Sequence, residues 1–239
     1  MNRVYLNNQD SYTYTIFNKG NLTLIQLPSH LKSLGLNTFY NLHKTGIQVL
    51  FNPDAHIESI GVKAFNACKG VTALALPAVN SISTYAIYNL TNLKTFTLGA
   101  ESKLTSIPGY MLSGCNLLTS FEVPASVTVI ETRAFSNNKG LTELTFAPGN
   151  KLVQIGDFAF AGTAIASFVM PETVEYAGSA VFQNTTAVKS VTLSKKLVSV
   201  LGGQYSMFYM ANGLEQIIVP DDCVNFKAVD GVLYDANQT

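Results

Sequence analysis

Tryptophan is missing from this chain of 239 residues, and charge is scarce. Only 13% of residues are Asp, Glu, Lys or Arg, in numbers that balance to a formal net charge of zero. That balance excludes a polyanion-binding surface built on bulk charge, so nucleic acid is not an expected partner. Cysteine is rare as well. An odd set of three, Cys68, Cys115 and Cys223, does not make a disulfide framework. Long hydrophobic runs are absent: no window approaches the roughly 18 uninterrupted apolar residues of a membrane span. The stretch from Met1 to Asn8 lacks the apolar core of a signal peptide. Neither membrane insertion nor an export signal is therefore expected of the chain as it stands. No Walker loop, dinucleotide fingerprint, nucleophile elbow or Cys-x-x-Cys spacing occurs.

What the chain does have is apolar side chains, 47% of the total, and a strict internal repeat. Leu118, Phe121, Val123, Pro124, Val127, Ile130, Ala134 and Phe135 define a template. It recurs as Val71, Leu74, Leu76, Pro77, Val79, Ile82, Ala86 and Ile87, and again as Ile165, Phe168, Met170, Pro171, Val174, Ala177, Val181 and Phe182. The bulky residue of the Ala-Phe step falls at Phe39, Phe65, Ile87, Leu112, Phe135, Phe160, Phe182 and Phe208. The mean spacing is about 24 residues, the length of one coil of a solenoid.

Each coil opens with a period-two stretch such as Leu141 to Phe146, which predicts a short strand with Leu144 and Phe146 inward. Proline follows the strand in most coils (Pro28, Pro53, Pro77, Pro124, Pro148, Pro171 and Pro220), where its missing N–H ends ladder pairing. Gly99 and Ser194 take that place in two coils. A second apolar pair comes next, often followed by glycine (Gly35, Gly61, Gly156, Gly178), which predicts a corner with positive φ. The Ala-Phe step then predicts a short helical turn. The expected architecture is a β-rich α/β solenoid of about nine coils, roughly 40 Å long at about 4.8 Å per coil. Residues 1–20 are expected to form an N-terminal capping hairpin from Val4, Leu6, Tyr12 and Ile16, and residues 21–225 the solenoid. Residues 226–239 are expected to be a C-terminal capping hairpin, or the start of a following block, because Asp230 and Gly231 give a strong two-residue turn signal.

The pattern carried by Val71 to Leu90, Leu118 to Asn138 and Ile165 to Thr185 resembles the BspA-like, or Treponema pallidum-type, leucine-rich repeat. Proline after the strand, in place of an Asn or Cys ladder, separates it from the more familiar leucine-rich repeats. The resemblance implies a leucine-rich-repeat solenoid on a bacterial or protist cell surface, or secreted, with adhesion or host-protein binding and no enzymatic activity. The chain is expected to be a mature form or part of a longer protein.

Candidate chemical residues are few. Cys68 and Cys115 share a repeat column two coils apart, roughly 9 to 10 Å by strand spacing, and are expected as buried fillers. Cys223 has no basic neighbour in sequence to activate it. His30 and His56 share a column, but two ligands do not close a zinc site. Glu122 and Glu143 are expected diagonally on neighbouring strands of an open face, which cannot exclude water as carboxylate catalysis requires. No catalytic residue, metal or cofactor is assigned. The binding surface assigned is the outward strand face: Gln26, Thr95, Thr97, Ser120, Glu122, Glu143, Thr145, Ser167, Val169, Ser190 and Thr192. Its short side chains lose little freedom on contact with a broad partner. Strand propensity alone would also place Thr and Val there. The expected function is a non-catalytic adhesin-type repeat domain, monomeric, contacting an extracellular or host-surface protein. The alternative is a passive spacer that displays another domain.

Overall fold

The structure, a computed structural model, describes residues 2–5, 11–12, 22–42, 46–52, 54–200, 205–230 and 232–236. Its chain winds into a stack of coils, each with two short strands and a turn-rich third leg. The first strands are Asn2–Tyr5, Leu22–Gln26, Gln48–Leu50, Ala73–Leu76, Thr95–Leu98, Ser120–Val123, Glu143–Phe146, Ser167–Val169, Ser190–Thr192 and Gln216–Ile218. Alternation sets their faces: Leu74, Phe96, Phe121, Phe168 and Val191 are buried, while residues on either side point out. The second strands, such as Val129–Ile130 and Gln154–Ile155, pair in parallel from coil to coil. About eight coils have all three legs among the described residues, against nine expected, since Gln216–Ile218 leads into Phe226–Val229 and not into a second parallel strand.

The third leg is not helical. It is a run of three overlapping turns, as in Ala64 N–H to Gly61 O, Asn66 N–H to Lys63 O and Cys68 N–H to Phe65 O. The residue at the third position of the first and last turns is left-handed, Lys63 at φ 56° and Ala67 at φ 57°. Alternate N–H groups leave the coil and donate to the next one: Tyr110 to Thr132 O, Leu112 to Ala134 O and Gly114 to Ser136 O. A helix would spend those donors inside its own coil, so the need to hydrogen-bond across the stack overrides the local preference. Inside this leg the phenylalanine rings follow one another along the body, Phe39 stacked on Phe65 at 5.0 Å, and Phe135 tilted against Phe160 at 5.9 Å and Phe160 against Phe182 at 5.7 Å.

Asn2–Tyr5 pairs in parallel with Leu22–Gln26, and Ser11–Tyr12 pairs in parallel with Ser33–Leu34. Both strands thus extend the ladders of the following coil in parallel, and the rest of the capping hairpin expected over 1–20, Leu6 and Ile16 among it, lies outside the described residues. Against the expected positive-φ corners, Gly35, Gly61, Gly156 and Gly178 are not left-handed; among the described residues the positive-φ glycines are Gly46, Gly114, Gly149 and Gly162. They are small because the preceding coil is close: a Cβ on Gly156 would lie 2.7 Å from Thr132 N, and one on Gly178 would lie 2.5 Å from Asp157 N. At the other end, Phe226–Val229 and Val232–Asp235 form an antiparallel ribbon whose Phe226 and Leu233 pack on the core.

The second face runs as a four-strand ladder and a five-strand ladder, whereas the first face is broken into four shorter ladders. The breaks follow Gln48–Leu50, Thr95–Leu98 and Glu143–Phe146. Each of these strands leads into a long corner: Phe51 to Ile57, Leu98 to Leu104 and Phe146 to Leu152 each span six positions. In the other coils the equivalent step spans three or four, as from Val123 to Val127. Coils of unequal perimeter cannot stay in hydrogen-bonding register along that side. Gly156→Ala is expected to lower unfolding free energy by about 1–3 kcal/mol, as overpacking against backbone does. Ala67→Gly, at a left-handed position, is expected to be neutral or stabilising by up to about 1 kcal/mol. Urea titration followed by circular dichroism checks both.

Candidate functional site

The residues assigned from sequence to the outward strand face all lie on first strands, in register. Ser120 pairs with Glu143 and Glu122 with Thr145; Ser167 pairs with Ser190 and Val169 with Thr192. Thr95, Thr97, Ser120, Glu122, Glu143, Thr145, Ser167 and Val169 are exposed, and Gln26, Ser190 and Thr192 are half-buried. Glu122 and Glu143 thus stand diagonally on paired strands, open to solvent. The break after Thr95–Leu98 turns this flat face into a relief. A cleft of about 440 Å³ opens between Thr95–Leu98 and Ser120–Val123, walled by Thr97, Ser120, Glu122 and Pro124. Its floor is Phe96 and Phe121, whose rings stack at 5.8 Å. Three of the residues assigned from sequence therefore meet at one concavity with an apolar floor and a polar rim. The sequence signal for it was the long corner beginning at Gly99, where a Cβ would collide with the backbone of Pro77 and Ala78 at 2.6 and 2.5 Å.

A second cluster, on the turn leg, escaped the sequence reading. Left-handed residues of successive coils place Lys63, Tyr85, Tyr110, Arg133 and Phe158 in one line, with φ between 56° and 59°. Tyr85 and Tyr110 stack at 4.5 Å with 14° between their planes. The Arg133 guanidinium lies 4.3 Å from the Phe158 ring centre and 5.8 Å from that of Tyr110. Its Nη1 donates to the Tyr110 hydroxyl at 2.8 Å. Lys63 Nζ sits 5.9 Å from the Tyr85 ring at the other end, and Tyr88 stands edge-on to Tyr85 at 5.4 Å. The faint sequence signal was the column four residues on, Asn41, Asn89, Gly114, Asn137, Gly162 and Asn184, whose Asn and Gly mark left-handed backbone.

Cys68 and Cys115 are fully buried, and burial pushes each thiol up to about 12. The Cys115 thiol donates to Ile87 O at 3.3 Å, and Cys68 to Phe39 O. Cys223 is half-buried. His56 Nε2 meets Asn80 Oδ1 at 2.9 Å, and His30 is exposed. Among the described residues no three His, Cys, Asp or Glu side chains gather as metal ligands, and no helix is long and apolar enough to cross a membrane.

The sequence profile of the BspA type leucine rich repeat region matches in six copies, over residues 6–118 and 105–229. Among solved structures, a leucine-rich repeat protein from Bacteroides ovatus superposes with a TM-score of 0.68 at 21% identity, covering 91% of this chain and 63% of that one. The pneumococcal vaccine antigen PcpA superposes with a TM-score of 0.52 at 22% identity, covering 85% of this chain and 44% of that one. This chain thus spans less than two thirds of either protein, and at these identities the likeness concerns the fold. A search of curated proteins finds no match. Thiol titration at pH 8 is expected to modify Cys223 in the folded protein and to reach Cys68 and Cys115 only after unfolding, since thiols held near 12 carry almost no thiolate. Fast labelling of all three in native buffer would contradict the packing described.

Proposed function

The chain belongs to the BspA type leucine-rich repeat family, and on that premise we propose that it is a non-catalytic, adhesin-type module that binds a protein of the extracellular or host-cell surface. The observation that carries this reading is the cleft at the first break of the strand face that involves assigned residues, between Thr95–Leu98 and Ser120–Val123. A side chain of the partner lodging over Phe96 and Phe121 would bury apolar surface at about 25 cal/mol per Å². Thr97, Ser120 and Glu122 at the rim would give it polar partners, and the flat exposed strands on both sides would widen the contact. Display at the cell surface or secretion follows from the family resemblance, and is supported by PcpA being a vaccine antigen. Catalysis has little support: the carboxylates Glu122 and Glu143 lie on an open face, and the two buried thiols carry almost no nucleophilic thiolate.

A passive spacer is the second reading. It is favoured by the end ribbon and the segment leading into it, where Val224, Val229 and Val232 are 78%, 48% and 50% exposed and offer an apolar surface to a following block. The two readings separate in a capture experiment with the folded chain as bait and extracellular-matrix and serum proteins as prey. Adhesion requires a saturable partner whose affinity falls at least about tenfold, or about 1.4 kcal/mol, in Thr97→Tyr and in Ser120→Tyr, which fill the cleft. Retention of full affinity in both variants would remove the cleft from the binding surface, and capture of no protein at all would leave the spacer.

A further inference from the structure

The line of left-handed residues on the turn leg is an anomaly of chemistry as well as of backbone. Glycine or asparagine would adopt that conformation at little cost, yet the positions hold Tyr85, Tyr110, Arg133 and Phe158, each at a cost of about 1–2 kcal/mol. Stacking of rings and guanidinium returns part of that cost. It leaves the charge of Arg133 without a carboxylate. The ion pairs among the described residues are Lys189 with Glu215, and Lys195 with Glu172 and Asp222. The nearest acids along the leg are committed elsewhere: Glu131 accepts from the Gly109 N–H at 2.8 Å and the Ser106 hydroxyl at 3.1 Å, and Asp157 accepts from the Ser179 N–H at 2.8 Å. Guanidinium has five N–H donors, so most remain for a ligand.

Arg133 borders a hollow of about 290 Å³, whose walls include Tyr88, Tyr110 and Phe158 and whose rim carries the amides of Asn137, Gln183 and Asn184. The volume is at the small end of ligand sites and suits a single compact polar unit, not a protein surface. One cation matches one negative charge, bidentate geometry favours a carboxylate, and three side-chain amides offer paired donors and acceptors of the kind vicinal hydroxyls use. Tyr88, at 75° to Tyr110, adds an aromatic wall for the C–H face of a ring. On the other side of Tyr110 the neighbouring hollow contains Glu131, which would repel the same ligand.

We propose that the hollow between Tyr88, Tyr110, Arg133 and Phe158 binds one carboxylated sugar unit, of the hexuronic or sialic acid class. This site is separate from the strand-face cleft and does not depend on it. Arg133 takes the carboxylate, and Asn137, Gln183 and Asn184 take the hydroxyls. The test is calorimetric or NMR titration of the full chain with methyl β-glucuronide and with the methyl glycoside of N-acetylneuraminic acid. Methyl β-glucoside, acetate and tri-glutamate are the comparison ligands. Saturable binding of either acidic sugar is expected, at least about tenfold tighter than each comparison ligand. It should weaken at least tenfold in Arg133→Gln and also in Asn137→Asp, which leaves the stack intact, tolerates the left-handed backbone and places a negative charge at the rim. Thr97→Tyr, on the strand face, should leave it unchanged. The proposal is overturned if neither acidic sugar saturates, or if any comparison ligand binds as tightly. It is equally overturned if Asn137→Asp binds like the parent, or if Thr97→Tyr abolishes binding.

Discussion

Every coil must lie one hydrogen bond away from the next. On all three sides of the body, backbone donors of one coil find their acceptors in its neighbour: in the short ladders of the first face, in the longer ladders of the second, and in the turn leg, as with Phe135 N–H to Ala159 O at 3.0 Å. No coil can satisfy its own backbone or cover its own apolar side, so stability is a nearest-neighbour quantity. The demand explains otherwise unrelated choices. Gly156 and Gly178 are glycine because the preceding coil touches them, Ala64, Ala86 and Ala134 are alanine inside the turn leg, and left-handed residues recur where alternate N–H groups must swing outward.

Much of this was written in the sequence as columns. Buried residues spaced by two and by a coil length identify the strands, their inward faces and the Phe stack, because burial constrains those positions to large apolar side chains. Direction of pairing is another matter. Val4 and Leu6 followed by Tyr12 and Ile16 read equally as a hairpin or as two strands of a coil, since alternation reports which face is buried and not which strand lies alongside. The turn leg was missed for a related reason. Ala134 and Phe135 identify a bend with a buried side, while the donors that decide between helix and open turns are main-chain groups with no side-chain signature.

The two candidate sites differ in legibility for the same cause. Strand-face residues alternate with buried ones, so position alone assigns Thr97, Glu122 and Thr145 to the outside. What position could not convey was relief: the cleft over Phe96 and Phe121 follows from a corner two or three residues longer than those of its neighbours, which shifts perimeter without disturbing any column. The aromatic and cationic line on the turn leg occupies a column running Asn37, Lys63, Tyr85, Tyr110, Arg133, Phe158 and Ala180. That column has no common chemistry, because the backbone there is held by its hydrogen bonds whatever the side chain. It becomes a pattern only when the coils are stacked.

The uneven distribution of ladder breaks gives the body a mechanical grain. Five short strands, from Ser106–Ile107 to Ser199–Val200, run unbroken along the second face, while the first face over the same coils is bonded in separate segments. Tension applied along the axis would load the continuous side as a tendon and let the segmented side open at its gaps. The solenoid is thus an anisotropic spring, stiff when bent toward one side and compliant when bent toward the other, with its softest sections at the long corners.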